Sequence, residues 1–419
     1  MSELSDSKKV IQFIKQFHIK STKISTGSKT IISEIIHTMK KATSTLTLTS
    51  YKSTILDLSF DFPKGESYDY ITPEIMEDFE NTSKIGKHYS FSIGIRTFNI
   101  YIIKPYENDD NEKKIYHTFD KMIHKIYVWL FVCNHYANSE CSPIITIYIY
   151  LTNHKKMLPS LDHTSLHGPL HSPHNSIDRH NANTAFTLAC PHSKNEIYIY
   201  RLEEWFKVLI HESFHSFGLD FARMPEEIVN KKMFSIFPIK CDLRFYETYC
   251  EVWAEIINVI FISVNSYSSN ETKINMNKLI KNIENHLYFE QMFSLFQCAK
   301  VLDFYGLTYR NILQKSNKIH YKEKTPVFSY YILKSIVMFY YNDFIEWCYI
   351  HNNKSLEFTK TQNNINHFFE FIKTRYNSDD FINSISIFEN WNSSQKEKES
   401  RRRRDNTFIL NTLRMSISE

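Results

Sequence analysis

Two histidines four residues apart, with a glutamate directly after the first, stand at His211, Glu212 and His215 in the run HESFH. On an α-helix, residues i and i+4 lie one turn apart on the same face. Both imidazoles can then reach one Zn²⁺ at about 2.0–2.1 Å. Glu212, beside the first ligand, is placed to act on a metal-activated water as a general base. The chain carries 19 histidines, yet composition yields only on the order of 0.05 chance matches to this pattern. The context agrees. Trp205, Val208, Leu209, Phe214 and Phe217 give the helix a buried flank. Gly218 follows where the helix can end with positive φ.

A catalytic zinc needs a third protein ligand and one open position. Residues 245–261 (FYETYCEVWAEIINVIF) read as a buried helix with one polar strip: Glu247, Glu251, Glu255 and Asn258, spaced by four and three. Carboxylates facing an apolar interior are costly unless a cation compensates them. We assign Glu247 as the third ligand and Glu251, one turn on, as an outer acceptor for the free N–H of a ligating histidine. The reverse assignment, with Glu251 on the metal, is the alternative.

His211, Glu212 and His215 followed by the strip at Glu247 and Glu251 resemble the zincin superfamily of metallopeptidases. Within it they resemble the gluzincin type, which takes its third ligand from a glutamate on a later helix. The wider run NTAFTLAC…EIYIYRLEEWFKVLIHESFHSFGLDF is similar to uncharacterised zincin-like proteins of large DNA viruses. The resemblance spans residues 110–345. It implies a zinc-dependent peptidase with one Zn²⁺ per chain and a polypeptide substrate. The metzincin pattern HExxHxxGxxH fits less well, because Phe221 stands where it requires histidine. Zincins bind substrate along an edge strand upstream of the active helix. That role falls to Thr184, Ala185, Phe186 and Thr187, through backbone pairing. Zincins also add an oxyanion donor. Tyr305, Tyr309, Arg310, His320, Tyr330 and Tyr331 are the candidates, and the sequence does not choose among them.

The elements that must position these residues are legible in outline. Helical periodicity covers Ile11 to Phe17 and Ile31 to Met39, and period-2 alternation at Thr45, Leu46, Thr47, Leu48 and Thr49 predicts a strand. Residues 89–103 are β-rich, with a bend near Gly94. A helix over 114–136 is followed by strands at 144–151, 184–190 and 196–200, then by the active helix at 203–217. Helices dominate from 244 to 390. The expected class is α+β: a zincin-like core of a small sheet, an active-site helix and a helical lower lobe, preceded by an N-terminal α/β region. The expected divisions are 1–110, a catalytic domain at 111–390 and a polar, basic tail at 391–419.

Composition narrows the alternatives. Hydrophobic residues at 42% and charged residues at 23% are near the globular norm, which excludes wholesale disorder. No run of about 18 apolar residues exists, so no transmembrane helix and no membrane partner are expected. Fifty Lys+Arg against 46 Asp+Glu leave +4, too mild to predict nucleic acid. The basic run Arg401, Arg402, Arg403, Arg404 offers at most a weak contact of that kind. Seven glycines and no GxGxxG argue against phosphate loops. Seven widely spaced cysteines without CxxC argue against a disulfide framework or a cysteine zinc site. The N-terminus lacks an apolar signal core, so an intracellular setting, host cytoplasm or virion if viral, is expected. His163, His167, His171, His174, His180 and His192 read as a polar loop near the cleft, with a second metal site as the sharper alternative. The reading from another class is a zincin-fold structural protein without hydrolysis, such as a virion component.

Overall fold

The computed structural model describes residues 2–20, 22–48, 51–56, 70–106, 111–159, 176–268, 275–315, 321–398 and 407–418. The fold is α+β, with one mixed six-stranded sheet among the described residues. His163, His167, His171, His174, His320 and Arg401 to Arg404 lie outside the described residues.

Helices α1 (Ser2–Ile14) and α2 (Thr26–Leu48) come first. The strand expected at Thr45 to Thr49 is a correction, since Thr45 to Leu48 belong to α2. The apolar stripe Ile32, Ile35, Ile36, Met39, Ala42 and Leu46 keeps helical spacing and is buried. The Thr43 and Thr45 hydroxyls donate to the carbonyls of Met39 and Lys41, four residues back, at 3.0 and 2.9 Å. That bond lets threonines sit in a helix despite their β preference.

β1 (Lys52–Ile55), β2 (Lys84–Ile93) and β3 (Arg96–Pro105) pair antiparallel, and α3 (Pro73–Asn81) lies between β1 and β2 in sequence. The β-rich run around Gly94 is therefore a hairpin; Gly94 takes φ +58° in its turn. Helix α4 (Glu112–Tyr136) carries the chain to β4 (Ile144–Tyr150), which is parallel to β3. After α5 (Arg179–Ala182) come β5 (Ala185–Thr187) and β6 (Lys194–Ile199). The spatial order is β1-β2-β3-β4-β6-β5, which leaves β5 at an edge.

Alternation sorts the two sheet faces. Ile145, Ile147 and Ile149 enter the main core, which α4 and the helix Trp205–Ser216 also fill. Tyr148 and Tyr150 face the other way, with Tyr198, Tyr200 and α3's Ile75 and Phe79. On that face Tyr101, Tyr148, Tyr198 and Phe186 stack across four strands at 4.8–5.1 Å.

The remaining helices are α6 (Trp205–Ser216), α7 (Glu227–Ile236), α8 (Phe245–Ser268), α9 (Met276–Phe304) and α10 (Tyr309–Ile312). A π-helical turn at Phe328–Leu333 runs into α11 (Lys334–Phe339). Then come α12 (Tyr341–His351), α13 (Gln362–Lys373), α14 (Asp379–Lys398) and α15 (Thr407–Asn411). The expected boundary at 110 falls inside a continuous structure: β3 and β4 pair across it, and Phe13 of α1 packs on Phe296 and Trp391. The expected polar tail needs correcting too. Leu413, Met415 and Ile417 are core residues, and Arg414 and Ser416 between them are also buried. The cysteine reading is corrected at one pair, since Cys141 and Cys190 form a disulfide.

Candidate metal centre

Helix α6 leaves the sheet directly after β6, and every residue from Phe206 to Ser216 is buried. Its C-terminal end is a Schellman turn: Gly218 N–H donates to His215 O at 3.0 Å and Leu219 N–H to Phe214 O at 2.8 Å. Gly218 supplies the positive φ of +63°. A Cβ there would stand 2.7 Å from Cys141 Sγ and 3.2 Å from Cys190 Cβ, so the disulfide packs against this turn. The turn brings Asp220 back beneath the helix.

His211 and His215 present their Nε2 atoms to one point, 3.1 Å apart. Glu247, in the first turn of α8, places Oε2 at 3.1 Å from His211 Nε2 and 3.2 Å from His215 Nε2. A tetrahedral ion with bonds near 2.0–2.1 Å separates its ligand atoms by about 3.3 Å. The triangle is close to that size. All three residues are 5–7% exposed.

The other imidazole nitrogens face carboxylates. His211 Nδ1 lies 2.9 Å from Glu251 Oε1, and His215 Nδ1 is paired with Asp220 Oδ2. The hydrogen bond to Asp220 fixes the orientation of the His215 ring, and at His211 the charge of Glu251 favours the cation. Glu251 thus stands behind His211, outside the group formed by His211, His215 and Glu247. Its other oxygen pairs with buried Lys207. Glu255, further along the same strip, pairs with Lys334, and Asn258 Nδ2 donates to Ser418 O at 2.9 Å.

The electrostatics follow from that setting. Burial opposes protonation of His211, but Glu251 and Glu247 outweigh it and hold the group up at about 9. His215 is also raised, with burial opposing and Cys250, Glu247 and Asp220 favouring the cation. Burial pushes Glu247 up, and the two imidazoles more than reverse it, leaving the carboxyl lowered. Three carboxylates, Glu247, Glu251 and Asp220, therefore surround two imidazoles in a site that favours positive charge. Among the described residues, three metal-ligating atoms come within 4.8 Å of one another in two groups only. These are His211, His215, Glu247 and the overlapping His215, Asp220, Cys250. In the second group His215 offers Nδ1, the atom that Asp220 already occupies. The first group could hold a metal ion.

Glu212 is 8% exposed and borders a cavity of about 40 Å³ with His211, Thr184, Ala185, Tyr330 and Met415. Burial raises its carboxyl above the usual range, with His211 and His215 pulling it back. Of the edge-strand residues, Thr184 and Ala185 border the cavity, while Phe186 stacks on Tyr198 and Thr187 donates its hydroxyl to Glu196 O at 2.6 Å. The oxyanion candidates separate clearly. Tyr305 accepts from Ile177 N–H, Tyr309 donates to Tyr376 O, and Tyr331 donates to Leu413 O. Tyr330 alone of these borders the cavity, carried by the π-helical turn. Such turns are common at functional sites. Burial, then Glu247 and Glu212, keep its hydroxyl protonated.

Of the remaining histidines, His192 contacts Arg223 and Glu140 O and joins no ligand group among the described residues; His180 joins none either. Sequence reasoning passed over Asp220, Lys207, Lys334 and Met415. Comparisons of the chain with protein-family models, curated proteins and solved structures return no match.

Proposed function

We propose that the chain is a zinc-dependent metallopeptidase of zincin-like type, with His211, His215 and Glu247 holding one Zn²⁺. The supporting observation is the convergence of three buried ligand atoms at 3.1–3.2 Å beside Glu212 and a cavity. Bound there, zinc supplies Lewis-acid polarisation of a carbonyl and acidifies water. Glu212 takes the proton of the attacking water and returns it to the leaving amine. Burial raises its carboxyl above the usual range, which makes it a stronger base towards that proton than an exposed glutamate. The Tyr330 hydroxyl donates to the carbonyl oxygen as charge develops on it. β5, the last strand of the sheet among the described residues, pairs with the substrate backbone.

The test is zinc content and peptide cleavage measured together, the latter by mass spectrometry on a mixed peptide library. Glu212→Gln keeps one zinc per chain and loses turnover by about 10²–10⁴-fold. Wild-type hydrolysis by that variant removes the peptidase reading.

Burial favours a second reading, a metal clamp in a structural protein. The cavity beside Glu212 is small, about 40 Å³, and its walls are mostly buried side chains. Bound zinc, a melting temperature that falls on chelation and no cleavage of any library member would select the clamp. Among the described residues, no helix is long and apolar enough to cross a membrane.

A further inference from the structure

Met415 touches the surroundings of the metal centre through three different atoms. Its N–H donates to Glu204 Oε1 at 3.0 Å, its carbonyl accepts from Lys334 Nζ at 2.8 Å, and its sulfur lies 3.7 Å from Lys207 Nζ. Each partner leads back to α6 or α8. Glu204 precedes α6 and pairs with Lys156. Lys334 pairs with Glu255 of α8. Lys207 pairs with Glu251 Oε2, whose other oxygen faces His211 Nδ1 at 2.9 Å.

The neighbours of Met415 extend this seating. Ser416 N–H donates to Glu204 Oε1 at 2.6 Å. The N–H groups of Ile417 and Ser418 donate to Glu290 at 3.0 and 2.9 Å. Glu204 and Glu290 are both buried, so these N–H groups are part of what compensates them. Glu204 holds φ +59°, a left-handed conformation that a glutamate keeps only where its surroundings insist.

A buried ammonium goes where its charge is met. Lys207, 2% exposed, is gripped by Glu251 on the metal side and by Met415 on the other. We propose that Lys207, seated by the buried segment 412–418, is a positioning residue of the metal centre: it fixes the Glu251 carboxylate, and Glu251 orients His211. The inference rests on the metal-site reading above. In it the segment is a permanent part of the site, because its departure leaves Glu290 without the donors that meet it and leaves Glu204 and Lys334 with Lys156 and Glu255 alone.

The experiment compares full-length wild type, Lys207→Met, Lys207→Arg and Met415→Glu. Affinity for Zn²⁺ and Co²⁺ is read by competition with a chelating dye, with the Co²⁺ visible absorption band and thermal unfolding alongside. Lys207→Met and Met415→Glu should weaken metal binding by about tenfold to a hundredfold and alter the cobalt band. Lys207→Arg should restore both. A Lys207→Met protein that melts lower but keeps wild-type affinity and cobalt band overturns the positioning role and leaves the metal site standing. Wild type that takes up neither metal overturns both. Met415→Glu with unchanged affinity and faster peptide cleavage makes the segment an inhibitory plug, which also overturns the proposal. Should Met415→Glu fail to fold, the two Lys207 variants decide alone.

Discussion

Two pairs of histidines in this molecule have almost the same geometry. His211 and His215 place two nitrogens 3.1 Å apart with ring centroids at 4.8 Å. His351 and His367 place two nitrogens 3.2 Å apart with centroids at 4.7 Å. Their surroundings differ. Behind His211 and His215 stand Glu251 and Asp220, and Glu247 closes the triangle. Beside His351 stands the ring of Trp347, stacked at 4.9 Å. His211 is held up to about 9, whereas burial and then His367 push His351 down. Nitrogen spacing alone is satisfied by one imidazole donating to another. A third donor and carboxylates behind the rings are what a metal centre needs and what the His351–His367 pair lacks among the described residues.

The largest effect expected comes from breaking the triangle. Glu247→Ala and His215→Ala should each take zinc from one per chain to trace levels by elemental analysis, and cleavage should vanish with it. A Glu247→Ala protein that keeps full zinc would remove that residue from the ligand set. Next comes the support behind the ring. Asp220→Asn keeps the shape and loses the charge, and should weaken zinc by about tenfold to a hundredfold in a chelator competition.

A smaller loss, in stability, is expected where the turn that delivers Asp220 is disturbed. Gly218→Ala meets both a positive φ and the Cys141 sulfur. It should cost about 1–3 kcal/mol in denaturant unfolding. Glu323 extends the contrast to a buried carboxylate without a cation. Burial pushes it up to about 7, with Tyr321 and the Phe328 N–H opposing. The folded state then binds this proton more tightly than the unfolded state. The stability it lends is full below the ordinary value of 4.5 and is lost as pH rises towards 7. The slope should reach about 1.4 kcal/mol per pH unit in that window, and Glu323→Gln should flatten it. The smallest effect belongs to the second pair. His351→Ala with His367→Ala should leave zinc stoichiometry unchanged, and a second equivalent lost in that variant would erase the contrast.

The residues of the triangle were legible because helix register carries information over four residues. His211 and His215 share one helix face, and so do Glu247 and Glu251. Asp220 was not, because register ends at Gly218, and a position beyond a Schellman turn is set by that turn. A glycine followed two residues later by an acid was the available signal. Lys207 lies one turn before His211 on α6 and was hidden among apolar neighbours. Having asked what cation could face three glutamates, sequence reasoning supplied only zinc, whereas Lys207 and Lys334 neutralise Glu251 and Glu255. The alternation of Leu413, Met415 and Ile417 marked residues 412–418 as a buried extended segment, but the arginines before it drew the eye to polarity. At Thr45 to Leu48 the opposite error arose, with β propensity read where the helical stripe to Leu46 prevailed.

The seating of residues 412–418 also bears on the order in which the molecule can be completed. Met415 meets Glu204 across 211 positions, and Ser418 meets Asn258 across 160. Contacts so distant in sequence form late and slowly, since the intervening chain must be ordered before they reward it. During synthesis α6 and α8 emerge long before this segment does. Until it arrives, Glu290 lacks the N–H groups that meet it in the finished fold, and Glu204 and Lys334 have only Lys156 and Glu255. A nascent chain can therefore hold every residue of the triangle and still be short of the structure that keeps them aligned.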